Sequence, residues 1–370
     1  MSVYRITFTP SAPYFFGNEK TFKYPGQTVE NHFGSLYYIK GEKMPSQTAL
    51  LGALRYILMP QKGFDQLQNE ENVKAIGSAS FDIDHEDTPQ TFGKIQKLSS
   101  VFIRKGEEYF IPTPFDHNTA SEPDSKEKMP ISYSPLSGYM VLYTADGRKL
   151  YLNDYDTKKG IADSFMSITD NHLEKNLFKS DLRVGVNRSE QNDGFFKKEY
   201  ISLASGYAFA IFAMIEDDSL DGEKYAVLMG QGKVPFAVSF EKQDDDAMDT
   251  FYGRIAEALE KNAGKYDKIY CLGDMLVNDC KLYDGMLLAI TKTRDFRSFK
   301  TKADGKIEKG SKLHRLISAG SVFVPAMDGK ILEKDFKTWA EVSEKQKNAA
   351  TIGFNQVIFV KKSPKGEENK

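Results

Sequence analysis

Cysteine is scarce in this 370-residue chain: Cys271 and Cys280 stand alone, with eight residues between them and no second Cys or His pair nearby. That excludes a disulfide framework and a Cys/His zinc site, and the two read as buried thiols. Long apolar runs are missing as well. None approaches the ~18 to 20 residues that a membrane helix needs, and Met1-Ser2-Val3-Tyr4-Arg5 opens directly on a strand-like pattern without a signal-peptide core, so a cytoplasmic protein with no membrane partner is expected. The five histidines, His32, His85, His117, His172 and His314, never fall within four residues of one another, which removes the helical zinc signatures. No G-x-S-x-G, Walker A or dinucleotide fingerprint occurs. An excess of one charge is missing too. Fifty Lys and Arg against 52 Asp and Glu leave a net charge of -2, which in sum argues against a polyanionic partner.

The sum hides segregation. From Arg294 to Arg315 the stretch RDFRSFKTKADGKIEKGSKLHR holds eight Lys/Arg and three Asp/Glu, a local +5, with Phe296 and Phe299 among the bases. Acids collect elsewhere, at Glu216-Asp217-Asp218 with Asp221 and Glu223, and at Asp244-Asp245-Asp246. A basic ribbon with interleaved rings suits a single-stranded nucleic acid, because Lys and Arg neutralise phosphates while ring faces accept unstacked bases. The plainer reading of the same residues is a solvated hairpin.

Length and a 40% hydrophobic content predict about two domains, and 26 Phe with 19 Tyr favour β-rich structure. Tyr4 to Phe8 alternate as a strand. The best-marked helix runs from Ser46 to about Met59: Leu50, Leu51, Leu54, Ile57 and Leu58 fall at helical spacing, Ser46 can cap it, and Pro60 with Gly63 ends it. Gly52 inside it suggests a close backbone approach. Hairpins are expected around Lys105-Gly106 and Asp146-Gly147, with a polar surface loop or disordered insertion from His117 to Pro130 between them. Strands follow at 182–186, 195–203, 207–214, 225–229 and 235–240, the first two joined by a polar loop from Asn187 to Gly194. Met248, Phe251, Tyr252, Ile255 and Leu259 line one face of a second helix, closed by Gly264, where a second domain would begin. Short strands at 268–272, 286–291, 321–324 and 356–360 precede a charged tail. The pattern is α+β: two ferredoxin-like (RRM-like) domains, 1–245 and 246–370, with β-hairpin and loop insertions.

Chemistry-bearing groups are few. Asp82-Ile83-Asp84-His85-Glu86-Asp87 offers oxygens for a hard cation, but lacks calcium-loop spacing and reads as a solvated acidic turn. His117 beside Asp116, or His32, has the near-neutral imidazole that abstraction of a 2′-hydroxyl proton in RNA cleavage requires. Neither assembles a site by spacing.

Four blocks go further, in this order along the chain: Tyr14-Phe15-Phe16-Gly17-Asn18-Glu19-Lys20-Thr21-Phe22; Pro45-Ser46-Gln47-Thr48-Ala49-Leu50-Leu51-Gly52-Ala53-Leu54-Arg55; Arg183-Val184-Gly185-Val186-Asn187-Arg188 with Gly194-Phe195-Phe196 and Glu199-Tyr200; and Ser318-Ala319-Gly320-Ser321-Val322-Phe323. Together they make the chain resemble the repeat-associated RAMP proteins of CRISPR systems, and within them the third-subunit family of the Cmr complex, the type III-B RNA-guided effector. The pattern departs at Lys20, where the family usually has Arg, and at Gly353-Phe354-Asn355 in place of a double glycine. The resemblance implies a non-catalytic subunit, with no cofactor or metal, that caps the 5′ repeat-derived handle of the CRISPR RNA. It also implies contacts with the large polymerase-like signalling subunit and the backbone RAMP subunit, and with target RNA only indirectly. The RNA contacts it implies are Phe16, Gly17, Asn18 and Lys20; Ser46, Gln47, Thr48 and Arg55; Arg183, Gly185, Asn187, Arg188, Lys197 and Lys198; and His314, Arg315, Ala319, Gly320 and Ser321. A RAMP-type endoribonuclease that processes the precursor and a structural subunit without RNA contact are the competing readings.

Overall fold

A computed structural model describes residues 1–23, 37–84, 87–117, 132–136, 139–143, 149–150, 164–174, 176–189, 192–261, 267–277, 283, 286–301, 307–310, 312–325 and 343–361. His32, His85, Glu86, Cys280, the polar segment from 118, the turn at Asp146-Gly147, Gly264 and the tail beyond 361 lie outside them, as do the side chains of Asn18, Lys20, Asn187 and Arg188.

The first elements are β1 (Ser2–Pro10), β2 (Phe16–Lys23), β3 (Tyr37–Glu42), α1 (Gln47–Leu58), α2 (Glu70–Ile76), β4 (Ile95–Leu98), β5 (Phe102–Lys105) and β6 (Glu108–Pro112). The middle of the chain forms β7 (Ser132–Leu136), β8 (Tyr139–Tyr143), β9 (Lys149–Leu150), β10 (Phe165–Ser167), β11 (Leu173–Glu174), β12 (Phe178–Ser189), β13 (Asn192–Leu203), β14 (Tyr207–Ile215), β15 (Lys224–Met229) and β16 (Val234–Gln243). After α3 (Ala247–Glu260) come β17 (Lys268–Cys271), β18 (Met286–Ile290), β19 (Thr293–Phe296), β20 (Phe299–Thr301), β21 (Ile307–Lys309), β22 (His314–Ile317) and β23 (Val322–Pro325). A helix at Glu344–Thr351 and β24 (Val357–Val360) end the described chain.

The α+β class is observed. The largest sheet has the order β11-β10-β6-β5-β14-β1-β16-β15, with β4 also on β14. Strand alternation decides what covers each face. Tyr4, Ile6 and Phe8 with Phe209, Ile211 and Ala213 join Leu50, Leu51, Leu54 and Ile57 of α1 in one core. On the opposite face, Val3, Ala210, Phe212 and Phe102 meet Met248, Phe251, Ile255 and Leu259 of α3. The Phe251 ring lies 4.5 Å from Phe102 and 5.2 Å from Phe212, and burying one such ring contributes about 2 to 3 kcal/mol. Covered on both faces, β14 (YAFAIFAMI) reads as a near-continuous apolar run, whereas β1 still alternates, with Arg5 and Thr7 on the face of Val3.

The core under α3 also takes in Tyr270, Val322 and Ile358 from a second sheet, β18-β23-β17-β24, so one apolar cluster spans the expected boundary at 245/246. A third sheet, β12-β13-β3-β2, carries the long hairpin β12–β13 at its edge, with β3 parallel to β13. Gly52 does not mark a close approach: it is exposed, and a Cβ there would meet nothing within 4 Å. The aromatic surplus is spent largely on core rings, among them Phe296, which is buried 5.7 Å from Phe354 and offers no face to a ligand.

Candidate nucleic-acid interface

The hairpin β12–β13 is longer than its sequence suggests. The pairing runs from Phe178↔Leu203 to Ser189↔Asn192, so most of the expected loop from Asn187 to Gly194 is ladder. The outer strand β12, with Leu182, Arg183 and Val184 all exposed, needs no polar–apolar alternation, and its composition therefore mimics a loop. Opposed residues share a face. One face carries Leu182 and Val184, both exposed, opposite Glu199 and Lys197. The other carries Asp181, Arg183 and Gly185 opposite Tyr200, Lys198 and Phe196. Lys197 and Lys198 thus point to opposite sides, and Arg183 and Lys198 to the same side.

On that shared side the Arg183 guanidinium sits 4.4 Å from the Tyr200 ring centroid, and its Nε donates to Asp181 Oδ2 at 2.9 Å. Lys198 Nζ lies 3.9 Å from the Phe15 centroid and 5.3 Å from that of Tyr200, and donates to Gln231 Oε1 at 3.0 Å. Lys198 is buried, and burial pulls its pKa below the ordinary lysine value. Among the described residues no carboxylate pairs with it; an amide oxygen and two ring faces compensate the charge only in part. An anion brought to this face would complete the pairing. Gly185 has a separate role: a Cβ there would overlap the Phe196 ring, which lies across the bare backbone. Sequence reasoning missed Gln231. The signal was present in Gly230-Gln231-Gly232, the turn between β15 and β16, whose Gln231 amide donates to Phe15 O at 3.0 Å.

The block around α1 is placed differently. Ser46 is the N-cap, its Oγ accepting from the Ala49 amide at 3.2 Å and lying 3.0 Å from Thr48 Oγ1. Gln47 is buried and donates from Nε2 to Ser99 O at 2.8 Å. Arg55, also buried, donates to Ile76 O at 2.9 Å, Gly77 O at 3.2 Å and Ser80 Oγ at 2.8 Å, tying α1 to the chain after α2. Phe16 is a core ring, 5.0 Å from Tyr14 and 6.0 Å from Phe236. The side chains of Phe16, Gln47 and Arg55 therefore present nothing to a strand of RNA, which corrects their reading as contacts; Gly17 is exposed. Between Gly17 and Thr21 the β2–β3 register shifts.

The last block is a tight turn. Gly320 has φ +91°, and a Cβ there would lie 2.8 Å from the Phe115 ring; Phe115 N donates to Gly320 O at 2.8 Å. Ser321 is buried, and its Oγ accepts from Lys292 N at 3.3 Å. The Ala319 amide donates to Asp274 Oδ1 at 3.0 Å, and Asp274 Oδ2 receives Arg294 Nη1 at 2.9 Å. Gly320 and Ser321 thus turn inward, which corrects the expectation of close RNA approach at those two. His314 Nε2 lies 2.7 Å from Asp84 Oδ1, joining the acidic turn to the basic stretch, while Arg315 is largely exposed with Asp295 3.6 Å away.

The other candidates are also placed. His117 is buried with Nδ1 3.2 Å from Asp116 Oδ1, and Lys268 Nζ pairs with Asp116 Oδ2. Burial opposes ionisation of Asp116, yet Lys268 and His117 hold its carboxyl well below the usual range. One group missed in the sequence can hold a cation: Glu108, Asp170 and His172 bring their ligand atoms within 4.8 Å of one another. It was illegible because His172 and Glu108 are far apart in the chain and meet only through the β6–β10 pairing.

The fold is an α+β frame with the Arg183–Lys198 hairpin at the edge of one sheet, and comparison supplies the family. The profile of the CRISPR-associated proteins Cas_Cmr3 matches residues 6–362, so the chain belongs to that family. No curated protein matches it in sequence. Among solved structures it is similar to a chain of the type III-B Cmr-β complex bound to cognate target RNA, seen by cryo-electron microscopy. The identity is 13%, the TM-score 0.47, and the match covers 96% of this chain and 99% of that one. It is also similar to a chain of the Csm3–Csm4 subcomplex of a type III-A CRISPR–Cas interference complex, at 13% identity and TM-score 0.37, covering 98% of this chain and all of the other.

Proposed function

We propose that this chain is the non-catalytic subunit of a type III-B CRISPR effector that holds the 5′ repeat-derived handle of the CRISPR RNA and anchors the large signalling subunit beside the backbone RAMP subunit. The same reading carries a chain of two ferredoxin-like halves. The observation that supports it is the face of β12–β13 on which Arg183 and buried Lys198 flank the Tyr200 ring. Two cations and a ring face within one hairpin are the parts that a single strand needs, phosphates on the bases and an unstacked base on the ring. The processing-nuclease alternative draws least support at His117, whose imidazole is buried against Asp116, out of reach of a 2′-hydroxyl. End mapping of RNA that co-purifies with the assembled complex separates the readings. An intact guide with a protected 5′ end is expected, whereas specific cutting of repeat RNA by the isolated chain, lost in His117→Ala, would install the alternative.

A further inference from the structure

The basic stretch is not absorbed by that site. Its two halves form one arm: β19 pairs with β22 from Thr293↔Ile317 to Phe296↔His314, and β20 pairs with β21 beyond it. The base of the arm is clamped. Phe296 is in the core, Ser298 is buried with its Oγ accepting from Ile83 N at 2.9 Å, Arg294 is held by Asp274, and His314 by Asp84. Past these anchors the character changes at once. Phe299 is 54% exposed and Leu313 48%, and the span 299–313 holds five lysines against Asp304 and Glu308, a local +3 in a chain of net -2. A rigidly based arm that presents a bare ring among lysines has no packing reason to do so.

We propose that this arm is a second single-stranded RNA contact, with Phe299 as a stacking platform and Lys312 and Arg315 as phosphate ligands. This rests on the reading that the chain handles RNA, and extends it to a surface outside the hairpin. Charge selects the ligand: phosphates are matched by a span of five lysines against two acids, while an apolar protein partner would leave that charge uncompensated. Placement supports it. β19 packs against β2, one edge of the sheet whose other edge is the hairpin strand β12, about 15 Å from β2 across three strand spacings, so the base of the arm and the hairpin flank one sheet. A strand leaving the hairpin face can therefore continue onto the arm.

The test uses the full chain at low salt with a 5-iodouridine-substituted oligouridine, cross-linked and mapped by mass spectrometry, alongside anisotropy titrations of Phe299→Ala and Arg315→Ala. Phe299 is exposed, so its truncation should leave the melting curve unchanged. Adducts are expected at Phe299 as well as at Tyr200. Phe299→Ala should weaken binding about fivefold or more, and Arg315→Ala should lower the slope of log affinity against log salt by about 0.7. Adducts at Tyr200 with none at Phe299, and unchanged affinity in Phe299→Ala, would overturn the arm and leave the hairpin reading standing. Absence of adducts at both would overturn both. Burial of Phe299 in the assembled complex by a protein subunit, without an RNA adduct, would make the arm a protein dock and overturn the proposal.

Discussion

Replacing Arg55 by Ala should destabilise the fold by about 3 kcal/mol while leaving RNA contacts intact. The guanidinium makes three hydrogen bonds, to Ile76 O, Gly77 O and Ser80 Oγ, and bonds from a charged group contribute ~1.5 to 3 kcal/mol each, so their loss costs about 6 kcal/mol. Against this runs the cost of keeping the charge buried. Burial lowers the Arg55 pKa from the ordinary arginine value to about 10, and that difference corresponds to about 3 kcal/mol recovered when the charge is removed. The loss of the stem and the two orphaned carbonyls keep the balance unfavourable. For a chain of this length the entropy of unfolding is roughly 0.8 kcal/mol/K, so the melting temperature should fall by about 4 °C. The pH signature follows from the sign of the shift: a base with a depressed folded pKa is penalised below that value and relieved above it, so the parent gains on the Ala variant as pH rises from about 10 towards 12. Urea unfolding by circular dichroism, with guide RNA retention measured in parallel, reads both quantities. A variant as stable as the parent that sheds RNA would instead place Arg55 at the binding site.

Gly353→Ala should cost at least ~2 kcal/mol in a thermal melt, because Gly353 has φ +95° and a Cβ would overlap the Gln47 amide and lie 2.5 Å from Ser99 O; an unchanged melt would contradict the packing of α1 against the C-terminal segment. Lys268→Met should cost ~3 to 5 kcal/mol by leaving the Asp116 charge buried, with most of it recovered in Asp116→Asn/Lys268→Met; urea unfolding of the single and double variants decides, and equal losses in both would refute the pairing. Lys94 holds the Asp217 carboxyl at about 2, below the ordinary 3.8, so this pair adds stability above about pH 4 that is lost as pH falls through 2. Lys94→Ala should therefore lose about 1 kcal/mol at pH 7 and almost nothing below pH 2, and a loss independent of pH would count against it.

What could be read from residues alone follows the physics of each element. α1 was legible because Ser46, the apolar spacing and Pro60 are all local signals, and it spans Gln47–Leu58 as those signals require. The helix at Glu344–Thr351 carried an equally local one, a capping box of Ser343 and Gln346, but its polar sequence hides the buried Gln346, Asn348 and Ala349. The strands at 207–215 and 234–243 were legible from their apolar content, whereas the reach of β12–β13 was not, since an exposed edge follows no alternation. Most of the misplaced site residues were aromatic, basic or amide side chains whose direction depends on tertiary packing. Phe16 and Phe299 look alike in sequence; one is in the core and the other in solvent. Lys197 and Lys198 differ only in which face of β13 they occupy, and only the second meets Phe15 and Gln231.

We propose above that the Arg183–Lys198 face of the hairpin holds the 5′ end of the guide. The direct measurement is a nuclease footprint of guide RNA in complexes reconstituted with Lys198→Glu and Arg183→Glu chains, each reversal removing one phosphate contact of roughly 1 to 3 kcal/mol and adding repulsion. Exposure of the 5′ handle with the middle of the guide still protected is the predicted result. Full handle protection with both charges reversed, in complexes that assemble normally, would remove this face from the RNA site.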